Sequence, residues 1–199
     1  MAASGYVIKS PIFDAVFNGD PKCLKLLLAA GGDVNACDDN LNSLIYVAAA
    51  NGHPECIKLL LAVDSDVNKC NKYDVSPIFI ASANGRTECL KLLLAAGGNV
   101  NKCSKNEMSP IYISTFKGHD VCLQLLLKAR GDANKCDKKG RSPIYIAVKQ
   151  RQFRSMKLLL EYGVETENGK PLFPIACIRG KRILTEWGEA PTDTENTQT

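Results

Sequence analysis

Histidine is nearly absent from this 199-residue chain, with His53 and His119 the only two, and there is a single tryptophan. Neither histidine lies in a nucleophile or metal motif. Both follow glycine, and the positions 33 residues away from them hold Asp20, Arg86 and Gln152, so no one chemistry is required there. A local turn or interhelix hydrogen bond is the simpler role. Long apolar runs are lacking as well. Stretches such as Ile57 to Val63 are broken by lysine and fall far short of the ~20 residues a membrane helix needs, so no membrane insertion is expected. The opening MAASGYVIKSP has no cationic stretch followed by an apolar one, and no secretory signal is read from it. A cytoplasmic or nuclear, reducing compartment is expected. A net charge of +4 is too small to imply nucleic-acid binding unless it is gathered on one face. Neither KKGRS nor RGKRI satisfies the phosphate-loop pattern, and no catalytic triad or nucleotide fingerprint is present. No enzyme activity and no cofactor are expected.

Cysteine, by contrast, is abundant. Four of the nine are Cys23, Cys56, Cys89 and Cys122, and four more are Cys37, Cys70, Cys103 and Cys136, each ladder stepping by 33 residues. Structural zinc sites favour ligands two to four residues apart, whereas the closest cysteines here are 14 apart. Repeats stacked at about 8–10 Å would also hold neighbouring rungs beyond the roughly 4.4–6.8 Å that a disulfide spans. One ladder is therefore read as small core filler and the other as lying at the base of a loop, with no metal ligated. A redox-sensing role for the second ladder is the weaker alternative.

Other residues keep the same step. SPIF, SLIY, SPIF, SPIY and SPIY begin at Ser10, Ser43, Ser76, Ser109 and Ser142, and CLKLLL, CIKLLL, CLKLLL and CLQLLL follow in turn. DVN, DVN, NVN and DAN close the units at Asn35, Asn68, Asn101 and Asn134. Ser43 is placed to cap a helix starting at Leu44 by accepting an orphan backbone N–H. Pro77, Pro110 and Pro143 suit the first helical turn, where the missing N–H costs nothing. Gly52, Gly85 and Gly118 suit its end, and Pro21 and Pro54 the start of a second, leucine-rich helix.

A 33-residue period with a Ser-Pro-Ile start, a second Leu-rich helix and a closing Asp-Val-Asn resembles the ankyrin repeat. The resemblance covers roughly residues 5–188. It implies an all-α solenoid of stacked helix pairs with projecting β-hairpin-like fingers. The units expected are 5–37, 38–70, 71–103, 104–136 and 137–169, with a degenerate cap at 170–188 and a polar, disordered tail at 189–199. Two departures from the family pattern stand out. Phe13, Tyr46, Phe79, Tyr112 and Tyr145 replace the usual histidine, so packing is expected to replace its hydrogen-bond network, with the tyrosine hydroxyls seeking a partner at the core edge. The finger glycine survives only at Gly140, and Leu41, Asp74 and Glu107 predict finger turns that differ from the family's. The closing asparagines also resemble the context recognised by asparaginyl hydroxylases, although shaping the turn into the finger is the simpler role.

The resemblance further implies a partner surface built from finger tips and the exposed side of the first helices, on the concave face. The matching residues are Asp39, Asn40 and Asn42; Lys72, Tyr73 and Val75; Lys105, Asn106, Met108, Phe116 and Lys117; and Lys138, Lys139, Arg141 and Lys149. They change from unit to unit while the scaffold stays constant. Tyr73 and Phe116 are the expected anchors, inside a charged rim. The function expected is a non-catalytic, monomeric adaptor, scaffold or inhibitor that binds a protein through an acidic or apolar segment. The alternative is binding of RNA or another polyanion by Lys105, Lys117, Lys135, Lys138, Lys139, Arg141, Lys149 and Arg151. The near-neutral N-terminal half weighs against it.

Overall fold

The structure is a computed structural model that describes residues 10–162. Ten helices follow one another within that span: α1 (Pro11–Phe17), α2 (Pro21–Ala29), α3 (Leu44–Asn51), α4 (Pro54–Leu61), α5 (Pro77–Ala83), α6 (Thr87–Ala95), α7 (Pro110–Lys117), α8 (Asp120–Lys128), α9 (Pro143–Lys149) and α10 (Phe153–Glu161). No strand forms among the described residues, and the nearest approach to one is an isolated antiparallel bridge between Cys37 and Ser43. The chain is therefore all-α, as the repeat pattern predicts. The expected cap at 170–188 and tail at 189–199 lie outside the described residues.

The helix boundaries follow from capping chemistry. The hydroxyls of Ser43, Ser76, Ser109 and Ser142 accept the N–H groups of Tyr46, Phe79, Tyr112 and Tyr145, each cap contributing about 1 kcal/mol. Asp20 caps α2 by accepting from the N–H groups of Lys22 and Cys23. Helices this short are marginal in isolation, and packing decides their stability. First helices pack on first helices and second on second. This stacking seals Ile45, Ile78 and Ile111 on one side, and Leu24, Ile57, Leu90 and Leu123 on the other. Each such side chain contributes about 1.5–3 kcal/mol on burial. Cys56, Cys89 and Cys122 are buried with them, whereas Cys23, at the N-terminal end of the stack, is exposed. Ser155 occupies the same step in α10 and donates to Asp120.

The fingers are held by a repeated set of bonds. In the first, Asp38 N–H donates to Asn42 O at 3.1 Å and Leu41 N–H to Asp38 O at 2.8 Å. The same pairs recur at Asn71–Val75, Ser104–Met108 and Asp137–Arg141. Successive fingers are joined by single bonds from Lys72 N–H to Asn40 O, Lys105 N–H to Tyr73 O and Lys138 N–H to Asn106 O, at 3.0–3.2 Å. The expectation that non-glycine fingers turn differently is overturned. Leu41, Asp74 and Glu107 have φ of 59°, 58° and 59°, close to the 69° of Gly140. The backbone pairs and the bond to the neighbouring finger impose one geometry, and the side chain accepts the strain.

A side-chain clamp supports most of these turns. Asp38 Oδ1 accepts from the N–H groups of Asn40 and Asn42, Asn71 Oδ1 from Tyr73 and Val75, and Asp137 Oδ1 from Lys139 and Arg141. The aromatic residue of the preceding unit reaches this clamp. Tyr112 donates its hydroxyl to Asp137 Oδ2 at 2.9 Å, and Tyr46 interacts with the Asn71 side chain. Packing is therefore only part of what stands in for the histidine network. Phe79 and Ser104 occupy the corresponding positions in between, and there the buried Ser104 hydroxyl has no hydrogen-bond partner. The pair lacks both halves of the link.

Two predictions test this account of the fingers. Relief of a left-handed backbone, worth about 1 kcal/mol, makes Leu41→Gly and Glu107→Gly each raise the urea midpoint. An unchanged or lowered midpoint would show that the left-handed turn carries no cost. Phe79→Tyr with Ser104→Asn restores the missing link. A double-mutant cycle by urea unfolding should give a favourable coupling of about 1 kcal/mol, and zero coupling would contradict the pairing.

Candidate protein-interaction surface

Of the residues expected to meet a partner, Asp39, Asn40, Lys72, Tyr73, Lys105, Asn106, Phe116, Lys117, Lys138, Lys139 and Lys149 are exposed. Asn42, Val75, Met108 and Arg141 are half-buried. The three inter-finger bonds bring Asp39, Asn40, Lys72, Tyr73, Lys105, Asn106, Lys138 and Lys139 into one row, whereas Phe116 and Lys117 end α7 and Lys149 ends α9. Tyr73 and Phe116 are 53% and 40% exposed, and Phe17, Phe153 and Tyr162 are exposed elsewhere on the molecule. The Lys72 ammonium lies 5.3 Å from the Tyr73 ring centroid, and that of Lys117 5.9 Å from the Phe116 ring. Both are cation–π distances.

Two members of the set are committed elsewhere. Asn42 donates to Asp38 Oδ2 at 2.8 Å and accepts from Asn71 Nδ2 at 2.9 Å, tying the first finger to the second. Arg141 donates from Nε to the buried Asp137 Oδ2 at 2.8 Å, and its Nη2 binds the same oxygen. Burial alone would raise the Asp137 pKa. The Arg141 guanidinium, the N–H groups of Arg141 and Lys139, and the Tyr112 hydroxyl outweigh it and hold the carboxyl well below its usual range. Burial, and then the bond to Asp137, push Tyr112 up to about 12. Arg141 therefore shapes the fourth finger, and its charge is spent largely on Asp137. The spacing of four residues between Asp137 and Arg141, like that between Asp38 and Asn42, was the signal in the sequence for these clamps.

The histidines act as structural donors. His53 Nε2 lies 3.0 Å from Phe17 O and His119 Nε2 3.1 Å from Ala83 O, and Arg86 Nε donates to Ala50 O at 3.3 Å from the same position in the repeat. A carbonyl can only accept, so each imidazole carries its hydrogen on Nε2. Each side chain also covers the glycine of the preceding unit. A Cβ on Gly19 would sit 2.4 Å from His53 Nδ1, and one on Gly85 2.8 Å from His119 Nδ1.

Two of the closing asparagines bridge units, while the turn itself is held by Asp33, Asp66, Asn99 and Asp132, whose Oδ1 accepts from the N–H groups of Asn35, Asn68, Asn101 and Asn134. Asn68 Oδ1 accepts from Asn99 N–H at 2.7 Å and Asn101 Oδ1 from Asp132 N–H at 2.8 Å. Cys37, Cys70, Cys103 and Cys136 stand at the finger bases, each donating its thiol to the carbonyl two residues earlier at 3.4–3.5 Å. Burial raises the pKa of Cys70, Cys103 and Cys136, opposite to what a reactive thiolate needs. All eight described cysteines are free. No group of three or more metal-ligating side chains converges among the described residues.

One feature escaped the sequence. A cavity of about 480 Å³ opens between α1 and the first finger, lined by Phe13, Asp14, Phe17, Asp38, Asp39 and Val47 among others. No periodicity marks it, because it arises where the first finger stands beside the first helix.

The Asp137 clamp makes a pH-dependent prediction. A carboxyl whose folded pKa lies below the unfolded value of about 3.9 stabilises fully above that value and loses its contribution as pH falls toward the folded one. Asp137→Asn should lower stability at neutral pH by about 2 kcal/mol. It should also flatten the loss of stability between roughly pH 5 and pH 3. Urea unfolding at several pH values reads both, and an acid limb identical to that of the native chain would refute the assignment.

No helix among the described residues is long and apolar enough to cross a membrane. A search of curated proteins finds no match for the chain. A family model described as ankyrin repeats (3 copies) matches residues 12–102 and again residues 78–170, well over half the sequence. The matched span contains all but the first residue of the ten stacked helices. With helix pairs, finger row and family match all in one register, the chain belongs to the ankyrin-repeat family.

Proposed function

We propose that this chain is a non-catalytic adaptor, scaffold or inhibitor that grips a partner protein along its finger row and the adjoining flank of its first helices. Ankyrin repeats are generally protein–protein interaction modules and typically non-catalytic. The observation that carries the reading is the pair of exposed aromatics, Tyr73 and Phe116, each with a lysine ammonium near its ring. Leaving such rings in water forgoes burial free energy that a partner can recover. Large aromatics of this kind tend to dominate binding energy at interfaces. Lys105, Lys117, Lys138, Lys139 and Lys149 would form the rim, and rim charges mainly speed and orient encounter.

The polyanion reading is less favoured. A nucleic acid needs a continuous basic track, but Asp38 and Asp39 sit on the first finger and Arg141 is drawn onto Asp137.

Affinity capture with the native protein and with Tyr73→Ala/Phe116→Ala tests the proposal. The double variant should lose the partners the native form retains, with a drop of about 2 kcal/mol or more in affinity for a purified partner. Equal recovery would show these anchors to be wrong. Titration with an RNA oligonucleotide at rising salt checks the alternative, for which tight binding that collapses with salt would be required.

A further inference from the structure

The charges along the finger row are ordered rather than merely present. The first finger (36–42) carries Asp38 and Asp39 and no cation. The second (69–75) and third (102–108) each carry two lysines and one carboxylate. The fourth (135–141) carries Lys135, Lys138, Lys139 and Arg141 against Asp137 alone. The first helices continue the trend, with Asp14 on α1, Lys117 on α7 and Lys149 on α9.

The charges at the two ends are available. Asp14 and Asp39 enter no ion pair among the described residues, and neither do Lys138, Lys139 and Lys149, whereas the Asp38 carboxylate is held by Asn40 and Asn42 in the finger clamp. The two ends also differ in shape. At the acidic end, the cavity of about 480 Å³ has Phe13 and Val47 beside Asp14 and Asp39. Such a site accepts an apolar side chain and a cation together. At the basic end, lysines on finger tips present mobile ammonium groups to carboxylates. Tyr73 and Met108 occupy the fingers between.

We propose that this face takes an extended polypeptide segment of bipolar charge. A cationic residue beside an apolar one sits in the first cavity, and carboxylates lie over Lys138, Lys139 and Lys149. This rests on the reading of the face as the partner surface and adds the chemistry and direction of its occupant. Four fingers at about 10 Å spacing span about 30 Å, which an extended chain covers in roughly nine residues. A bound segment turned end for end would set like charges against each other at both ends, so the gradient fixes one direction of binding.

The test uses synthetic peptides of one composition and the full chain. One peptide carries Lys-Phe-Lys at one end and Glu-Asp-Glu at the other, across a Gly-Ser-Leu spacer, and is made in both chain directions. The control carries the same residues with alternating charges. Fluorescence anisotropy at low salt should show at least one bipolar peptide binding about tenfold more tightly than the control, as expected from two or three surface ion pairs. Asp14→Lys/Asp39→Lys, which touches no hydrogen bond of a finger clamp, should abolish that preference while the chain keeps its circular dichroism. Lys138→Glu/Lys139→Glu should abolish it too.

Equal binding of bipolar and control peptides overturns the charge order. If that equal binding is still lost in Tyr73→Ala/Phe116→Ala, the partner surface itself stands. Failure of every peptide to bind overturns the proposal. So does concentration-dependent self-association that Asp14→Lys/Asp39→Lys removes, since the occupant would then be a second copy of the chain.

Discussion

Everything in this structure depends on the fact that a pair of helices seven to nine residues long cannot bury its own apolar face. Ile45 is sealed because α3 lies between α1 and α5, and Leu90 because α6 lies between α4 and α8. Each layer is thus a property of three consecutive units, and the end of the stack shows what happens without a neighbour. Leu26 in α2 is 71% exposed, whereas Leu59 and Leu92, one and two repeats further on, are half-buried. The same asymmetry leaves Cys23 in water while Cys56, Cys89 and Cys122 are enclosed.

Apolar stacking sets the spacing, and polar bonds then fix how one unit sits on the next. They do so with interchangeable chemistry. The carbonyl bond made by His53 is made by Arg86 one unit on and by His119 after that. At the three inner units the position holds a planar donor that crosses the glycine, and imidazole and guanidinium both serve, whereas Asp20 caps α2 and Gln152 bonds Gln150. The finger clamp is similar in kind: aspartate and asparagine both accept two N–H groups there. Serine is too short for this, and the third finger keeps its shape through backbone bonds alone. Position matters more than identity.

That distinction explains what could be read in advance. The helix starts were legible because capping serines and first-turn prolines act through bonds two or three residues away. The ladder of buried leucines was legible because a period of 33 leaves the same residue facing the same neighbour. The finger conformation was misread, since the left-handed preference of glycine is a local rule. At Leu41 and Glu107 the neighbouring finger overrides it through a bond that no local window contains. The role of Arg141 was misread for a related reason. Its partner, Asp137, is four residues away, but that carboxylate is buried and also accepts the hydroxyl of Tyr112, 25 residues earlier.

Arg141 also shows why formal charge is a poor guide to a binding face. In the sequence, finger four is a cluster of four cations, and any one of them could be the recognition residue. In the structure, burial of Asp137 claims the guanidinium, which fits a carboxylate in two directions at once, and leaves the lysines on their flexible stems. The fourth finger is thus divided between a rigid charge that holds the turn and mobile charges that face outward. Lys138 joins the two roles, because its backbone N–H docks on the third finger at Asn106 while its side chain remains in water. The scaffold fixes where that ammonium starts, and only its last few bonds are left to be ordered by whatever binds.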